Sequence, residues 1–66
     1  MNLIINGEKK QFDDSTTLLS VMDQLQITDK VMACAVNMEI VKKENWSSFI
    51  PKENDKIELL QFVGGG

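Results

Sequence analysis

The residues best suited to take part in chemistry gather at the end of this chain. It closes Phe62-Val63-Gly64-Gly65-Gly66, with three glycines in a row. Glycine has no Cβ, gives nothing to a core and costs backbone entropy to order. What such a run offers is a thin, bendable strand ending in an unhindered carboxylate. Fully extended, four residues reach roughly 13 Å, enough to thread a narrow channel in another protein. With no Cβ at Gly66, a phosphoryl or sulfur group can approach its carbonyl from either face. Residues 63–66 are therefore expected to form a flexible tail. Residues 1–62 are expected to form the single domain that presents it.

Elsewhere the chemical inventory is sparse. There is no histidine and no tyrosine. The one cysteine, Cys34, cannot form an internal disulfide, which fits a reducing cytoplasm. It sits in an apolar run with no cation beside it, so it reads as a core residue and not as a reactive thiol. No Cys/His cluster is present to hold zinc. Gly7 is the only glycine outside the tail, so no glycine-rich loop cradles phosphate. The ten acidic side chains are scattered and suggest no acid/base pair. A net charge of −3 and a pI near 4.7 argue against binding a phosphate backbone. No apolar run approaches the ~20 residues needed to span a membrane. The start, Met1-Asn2-Leu3, has no basic segment or cleavage site, so no signal peptide is expected. These observations predict a cytoplasmic protein, a monomer on its own, with no nucleic acid, membrane, metal or bound cofactor among its partners. It would enter chemistry as a substrate or carrier, not as an enzyme.

The scaffold follows from the chain in order. A chain of 66 residues makes one small domain with a thin core. Asn2 to Asn6 is short, apolar and rich in β-formers. Asn6-Gly7 is a strong hairpin signal, because both residues tolerate positive φ. Glu8 to Phe12 returns as a polar edge strand whose lysines discourage unwanted pairing. Asp13 to Thr17 is a helix-start cluster in which Ser15 and Thr17 are both able to cap. Leu18, Val21, Met22 and Leu25 recur at i, i+3, i+4 and i+7, the stripe of an amphipathic helix packed on a core.

Ile27 to Lys30 connects to a second apolar run, Val31 to Val36. There Met32, Cys34 and Val36 alternate with Ala33 and Ala35, and the small face is expected to pack closely against the helix. Asn37-Met38 predicts a tight turn into a short strand, Glu39-Ile40-Val41. Lys42 to Asn45 reads as a single helical turn. Trp46, Phe49 and Ile50 supply bulk, with Trp46 as a plug over the core. Pro51 to Lys56 is turn chemistry. Ile57 to Phe62 is the last strand and runs straight into the glycines. Alternation separates Ile57 and Leu59 from Leu60 and Phe62. Ile57 and Leu59 are expected toward the helix with Leu60 and Phe62 on the open face beside the tail, and the reversed assignment is the alternative. An exposed apolar patch there marks a partner site. Helix and strand patterns segregate, so the fold class is α+β: a mixed sheet with one main helix across one face.

This order resembles the β-grasp, or ubiquitin-like, fold. Within it the run Ala33-Cys34-Ala35-Val36-Asn37-Met38-Glu39-Ile40-Val41, then Lys43-Glu44-Asn45-Trp46, Asn54-Asp55-Lys56-Ile57 and Val63-Gly64-Gly65-Gly66, resembles the ThiS family. That family holds the sulfur carriers of thiamin biosynthesis, and the resemblance covers the whole chain. A glycine tail is shared by all ubiquitin-like carriers. The Ala-x-Ala-Val-Asn strand, followed by Glu-Ile-Val and a tryptophan, is what singles out this family. Two turns depart from its pattern: Asn37-Met38 stands where Asn-Gly is common, and Asn54-Asp55 where Gly-Asp is frequent. Methionine is uncomfortable at positive φ, so a different turn type is expected at Met38.

The resemblance implies a role for each end residue. A ThiF-like, ubiquitin-activating-like adenylyltransferase would consume ATP to adenylate the Gly66 carboxylate. Sulfur from a cysteine desulfurase would displace AMP and leave a thiocarboxylate. A ThiG-like thiazole synthase would take that sulfur into the thiazole ring of thiamin. Leu60, Phe62, Val63, Gly64 and Gly65 would bind these partners, and no residue of the chain would be catalytic. The same fold and tail also serve two other roles, the small subunit of molybdopterin synthase and a ubiquitin-like protein modifier. A plain interaction module with an inert tail is the reading outside that class.

Overall fold

The computed structural model of the chain describes residues 1–62. They form β1 (Asn2–Ile5), β2 (Glu8–Gln11), α1 (Leu18–Gln24), β3 (Val31–Val36), β4 (Glu39–Ile40) and β5 (Lys56–Gln61). Single 3-10 turns lie at Thr28–Lys30 and Lys43–Asn45. The sheet order is β2-β1-β5-β3-β4. β1 and β5 run parallel at its centre and the other neighbours are antiparallel. This is the mixed β-grasp sheet expected from the sequence, with β5, the strand leading to the tail, held between β1 and β3.

The hairpin forms where Asn6 and Gly7 both take positive φ, 50° and 83°, and pair Ile5 with Glu8. That conformation matches the twist of the flanking strands. The helix cap resolves to Thr17, whose hydroxyl accepts from the Ser20 N–H at 3.1 Å. The first turn of a helix leaves N–H groups without intrahelical partners. Two are taken up by the loop after β4: Leu18 N–H donates to the Phe49 carbonyl at 2.9 Å and Leu19 N–H to that of Trp46 at 3.0 Å. Leu18, Val21 and Met22 then face a core built from Leu3, Ile5, Cys34, Val36, Ile57 and Leu59 on one side of the sheet. Trp46 closes that core from the side, and Phe49 packs half-buried against it. Ile50, grouped with them from the sequence, is half exposed and adds little bulk to the core.

β3 departs from expectation. Its alanines do not face the helix. Ala33 pairs with Leu60 and Ala35 with Glu58, all on the open face, while Cys34 pairs with Leu59 and Val36 with Ile57 toward the helix. Burial of apolar area drives the bulkier side chains under α1. The small ones are left to floor a shallow cleft outside. The register also shifts between Val31 and Ala33, so Met32 falls out of step and is 63% exposed.

The turn at Asn37-Met38 is a correction too. Asn37 has φ 50° and Met38 φ 71°, and Val36 pairs with Glu39 across a two-residue loop. This is the turn that Asn-Gly makes, adopted with methionine in the left-handed position. Asn37 secures it: its Oδ1 accepts from Lys56 N–H at 3.0 Å and its Nδ2 donates to Asp55 at 3.0 Å. The Met38 side chain is 89% exposed and packs on nothing that offsets the strain. Met38→Gly is therefore expected to raise the unfolding free energy by about 1 kcal/mol, the left-handed penalty less the entropy of freeing glycine. Urea denaturation checks this as a higher midpoint at unchanged slope, and a lower midpoint would contradict it.

The other departing turn is also left-handed, with Asn54 at φ 66°. It is stitched to β1 by Glu53, whose carboxylate accepts from Asn2 N–H at 2.8 Å and from Asn2 Nδ2 at 2.9 Å. Those hydrogen bonds, the backbone one first, hold the Glu53 carboxyl below the usual carboxylate range.

Candidate functional site

The candidate site is the end of β5 and the open sheet face around it. Alternation along β5 buries Ile57 and Leu59 and leaves Leu60 62% and Phe62 61% exposed. The register sets Leu60 beside Ala33 on β3, and Ile40 on β4 beside Ala35. Leu60, Ala33, Ala35 and Ile40 thus lie on a shallow cleft crossing three strands, with Asn6 and Glu58 also lining it. Ile40 is 71% exposed there. Contiguous exposed apolar patches are uncommon on small monomeric domains, which makes this face the candidate docking surface. Burying one such side chain contributes about 1.5–3 kcal/mol.

The end of β5 and the residue after it are held from two sides. Phe62 N–H donates to the carbonyl of Lys30, the residue before β3, at 2.6 Å. On the opposite edge, Leu59 N–H donates to Asn6 Oδ1 at 2.8 Å, and Asn6 Nδ2 donates to the Leu59 carbonyl at 3.3 Å. Sequence reasoning placed Leu60 and Phe62 but assigned Asn6 only to the hairpin turn. Ala33, Ala35 and Ile40 were likewise not assigned to this face. The signal for the alanines lay in the Ala33/Ala35 alternation, read in the opposite sense. The remaining site residues, Val63, Gly64, Gly65 and Gly66, lie outside the described residues, as does the expectation of a flexible tail.

Cys34 lies beneath this cleft without reaching solvent. It is fully buried, and burial pushes its thiol from near 9.0 up to about 11. Since the thiolate is the reactive form, Cys34 stays a protonated core residue at neutral pH. Among the described residues no three His, Cys, Asp or Glu side chains stand together to hold a metal ion. No described helix is long and apolar enough to cross a membrane.

Comparison with known proteins agrees with the geometry. The model of the ThiS family matches residues 3–66. The sulfur carrier protein ThiS of Escherichia coli K12 is 30% identical over 66 residues, the full length of both chains. A thiazole synthase of Paramagnetospirillum magneticum is 35% identical over 66 residues, and the chain spans 20% of that protein's length. The crystal structure of the thiamine biosynthesis protein ThiS from Geobacter metallireducens has a TM-score of 0.79 to this fold at 28% identity, covering all of both chains.

Proposed function

The chain belongs to the ThiS family, and from that premise we propose that Gly66 is the atom-bearing end of a sulfur carrier for thiamin biosynthesis. The observation that carries the reading is the strand β5: it exposes Leu60 and Phe62 and leads directly into Val63-Gly64-Gly65-Gly66. A carboxylate is a poor electrophile, and adenylation gives it a good leaving group. An ATP-consuming, ThiF-like adenylyltransferase would install AMP on Gly66. Persulfide sulfur drawn from a cysteine desulfurase would displace AMP as an acyl persulfide, and a thiol reductant, itself oxidised to a disulfide, would cleave the S–S bond and leave a thiocarboxylate. That group keeps a negative charge near neutral pH and is a soft nucleophile suited to a ThiG-like thiazole synthase. Support for that last partner comes from the thiazole synthase relative, which carries a segment like this chain within its own polypeptide.

The chain's own residues bind and present; none is catalytic and none holds a cofactor. Gly64 and Gly65 would let the tail lie flat in the partner's channel with their amides free to hydrogen-bond. Leu60 and Phe62 would dock beside that channel. A cytoplasmic location fits the lone, reduced Cys34.

Intact mass tests the proposal. After incubation with ATP, a sulfur source and the cognate adenylyltransferase, the chain is expected to gain the mass of one sulfur exchanged for one oxygen, mapped to Gly66. Gly66→Ala should load poorly, and a chain lacking Gly65 and Gly66 should not load at all, with its circular dichroism unchanged. Normal loading of the shortened chain, or an unchanged full-length mass beside a demonstrably active enzyme, would refute it.

A further inference from the structure

We propose that Asn6 is a positioning residue that holds the docking end of β5 in the geometry the activating partner reads; this rests on the carrier function above. The argument starts from the parallel ladder between β1 and β5. Ile4 N–H donates to the Asp55 carbonyl at 3.0 Å, and Asn6 N–H donates to the Ile57 carbonyl at 2.9 Å. The next rung of a parallel ladder would take Leu59 N–H onto a carbonyl of β1. β1 cannot supply one, because the chain turns away at Asn6 and Gly7, both at positive φ. Leu59 is buried, so its N–H and C=O on that edge need partners.

Asn6 makes up the missing rung with its side chain. Its Oδ1 accepts from Leu59 N–H at 2.8 Å and its Nδ2 donates to the Leu59 carbonyl at 3.3 Å. A primary carboxamide carries the same acceptor and donor as a peptide group, so it stands in for a strand that has already left. Asparagine also tolerates the left-handed backbone the turn requires. Glycine would satisfy that turn but leave the rung empty. Leu60 follows directly on the clamped residue. On the other edge, Phe62 N–H is tied to the Lys30 carbonyl at 2.6 Å. The strand end bearing both docking side chains is therefore held from two sides before a partner arrives. Such preorganisation removes an ordering cost from binding. It acts on association and not on the chemical step.

The test uses the full chain with Asn6→Gly and Asn6→Asp. Amide hydrogen exchange by NMR reads the clamp, and steady-state adenylation by a purified ThiF-type adenylyltransferase with ATP reads its consequence. Asn6→Gly is expected to speed exchange at Leu59 about tenfold or more while Ile4 and Val21 keep their protection. The KM for the carrier should rise about tenfold with kcat within about twofold, the pattern of a group that acts in binding. Asn6→Asp keeps the acceptor and loses the donor, and should fall between the two. Equal acceleration at Leu59, Ile4 and Val21 would overturn the proposal, because Asn6 would then support the whole fold. So would a freed Leu59 amide with an unchanged KM. A wild-type chain that is not adenylated defeats the carrier reading instead, and the exchange ratio of Leu59 to Ile4 still decides the clamp.

Discussion

A carrier with Leu60→Asp and Phe62→Asp is expected to lose about 100-fold or more in kcat/KM for adenylation of Gly66 while melting within about 5 °C of wild type. Both side chains are more than half exposed, and surface substitutions of this kind change stability by about 0.5 kcal/mol or less. In a domain of 66 residues that is a shift of only a few degrees. The loss in docking is far larger. Each apolar side chain buried in a partner contributes about 1.5–3 kcal/mol, and the two together exceed the ~2.8 kcal/mol that corresponds to 100-fold. A carboxylate in each position adds the cost of desolvating a charge. The control is Leu59→Ala, one residue away on the other side of the sheet. It should cost about 2–5 kcal/mol of fold stability as a core truncation. Scanning calorimetry and steady-state kinetics on the same samples separate the cases. A double aspartate variant adenylated at the wild-type rate would remove the open face from the docking surface.

That face was half legible in the sequence. Period-two alternation sets Ile57 and Leu59 apart from Leu60 and Phe62, but both pairs are apolar, so which pair meets the helix needs an anchor that the pattern itself does not give. β3 offered no such anchor either. Its two candidate faces are both apolar, one of alanines and one of Cys34 and Val36, so hydrophobicity does not choose between them. The register shift at Met32 breaks the alternation itself, and no residue type announces it. Asn6 was legible for its backbone and silent for its side chain. The signal Asn-Gly is local, whereas the carboxamide's partner, Leu59, lies 53 residues away. Met38 is the converse. Its type argued against the left-handed region, and the pairing of β3 with β4 imposed it, held by Asn37 bonding to Asp55 and Lys56.

Trp46→Ala is expected to remove about 3–5 kcal/mol of stability, the usual cost of truncating a buried tryptophan. At ~0.05–0.15 kcal/mol per residue, a domain of this size holds only about 3–10 kcal/mol in total. The variant should therefore lose about a third or more of that total, and is partly or wholly unfolded at room temperature where the wild type holds about 5 kcal/mol or less. Trp46 is 2% exposed and is the largest of the fully buried side chains. It also does more than fill volume. Its Nε1 donates to the Val41 carbonyl at 2.9 Å, and its own carbonyl accepts from Leu19 N–H at 3.0 Å. The indole thus holds the end of β4 while its backbone caps the helix, joining two elements that share few other bonds. Trp46→Phe keeps most of the bulk and loses the indole N–H, leaving the Val41 carbonyl without that donor, at a cost of about 1–3 kcal/mol. Since Trp46 is the only tryptophan, urea denaturation must be followed by circular dichroism and not by indole fluorescence. An alanine variant within about 1 kcal/mol of wild type would mean that Phe49 and Leu19 close over the gap, and that the plug is dispensable. The expected loss has a functional corollary that the docking variants lack. Trp46→Ala should fail to load sulfur because β5 no longer has a sheet to hold it, so added stabilising osmolyte should restore loading. No osmolyte should rescue Leu60→Asp with Phe62→Asp, because its fold was never the part that failed.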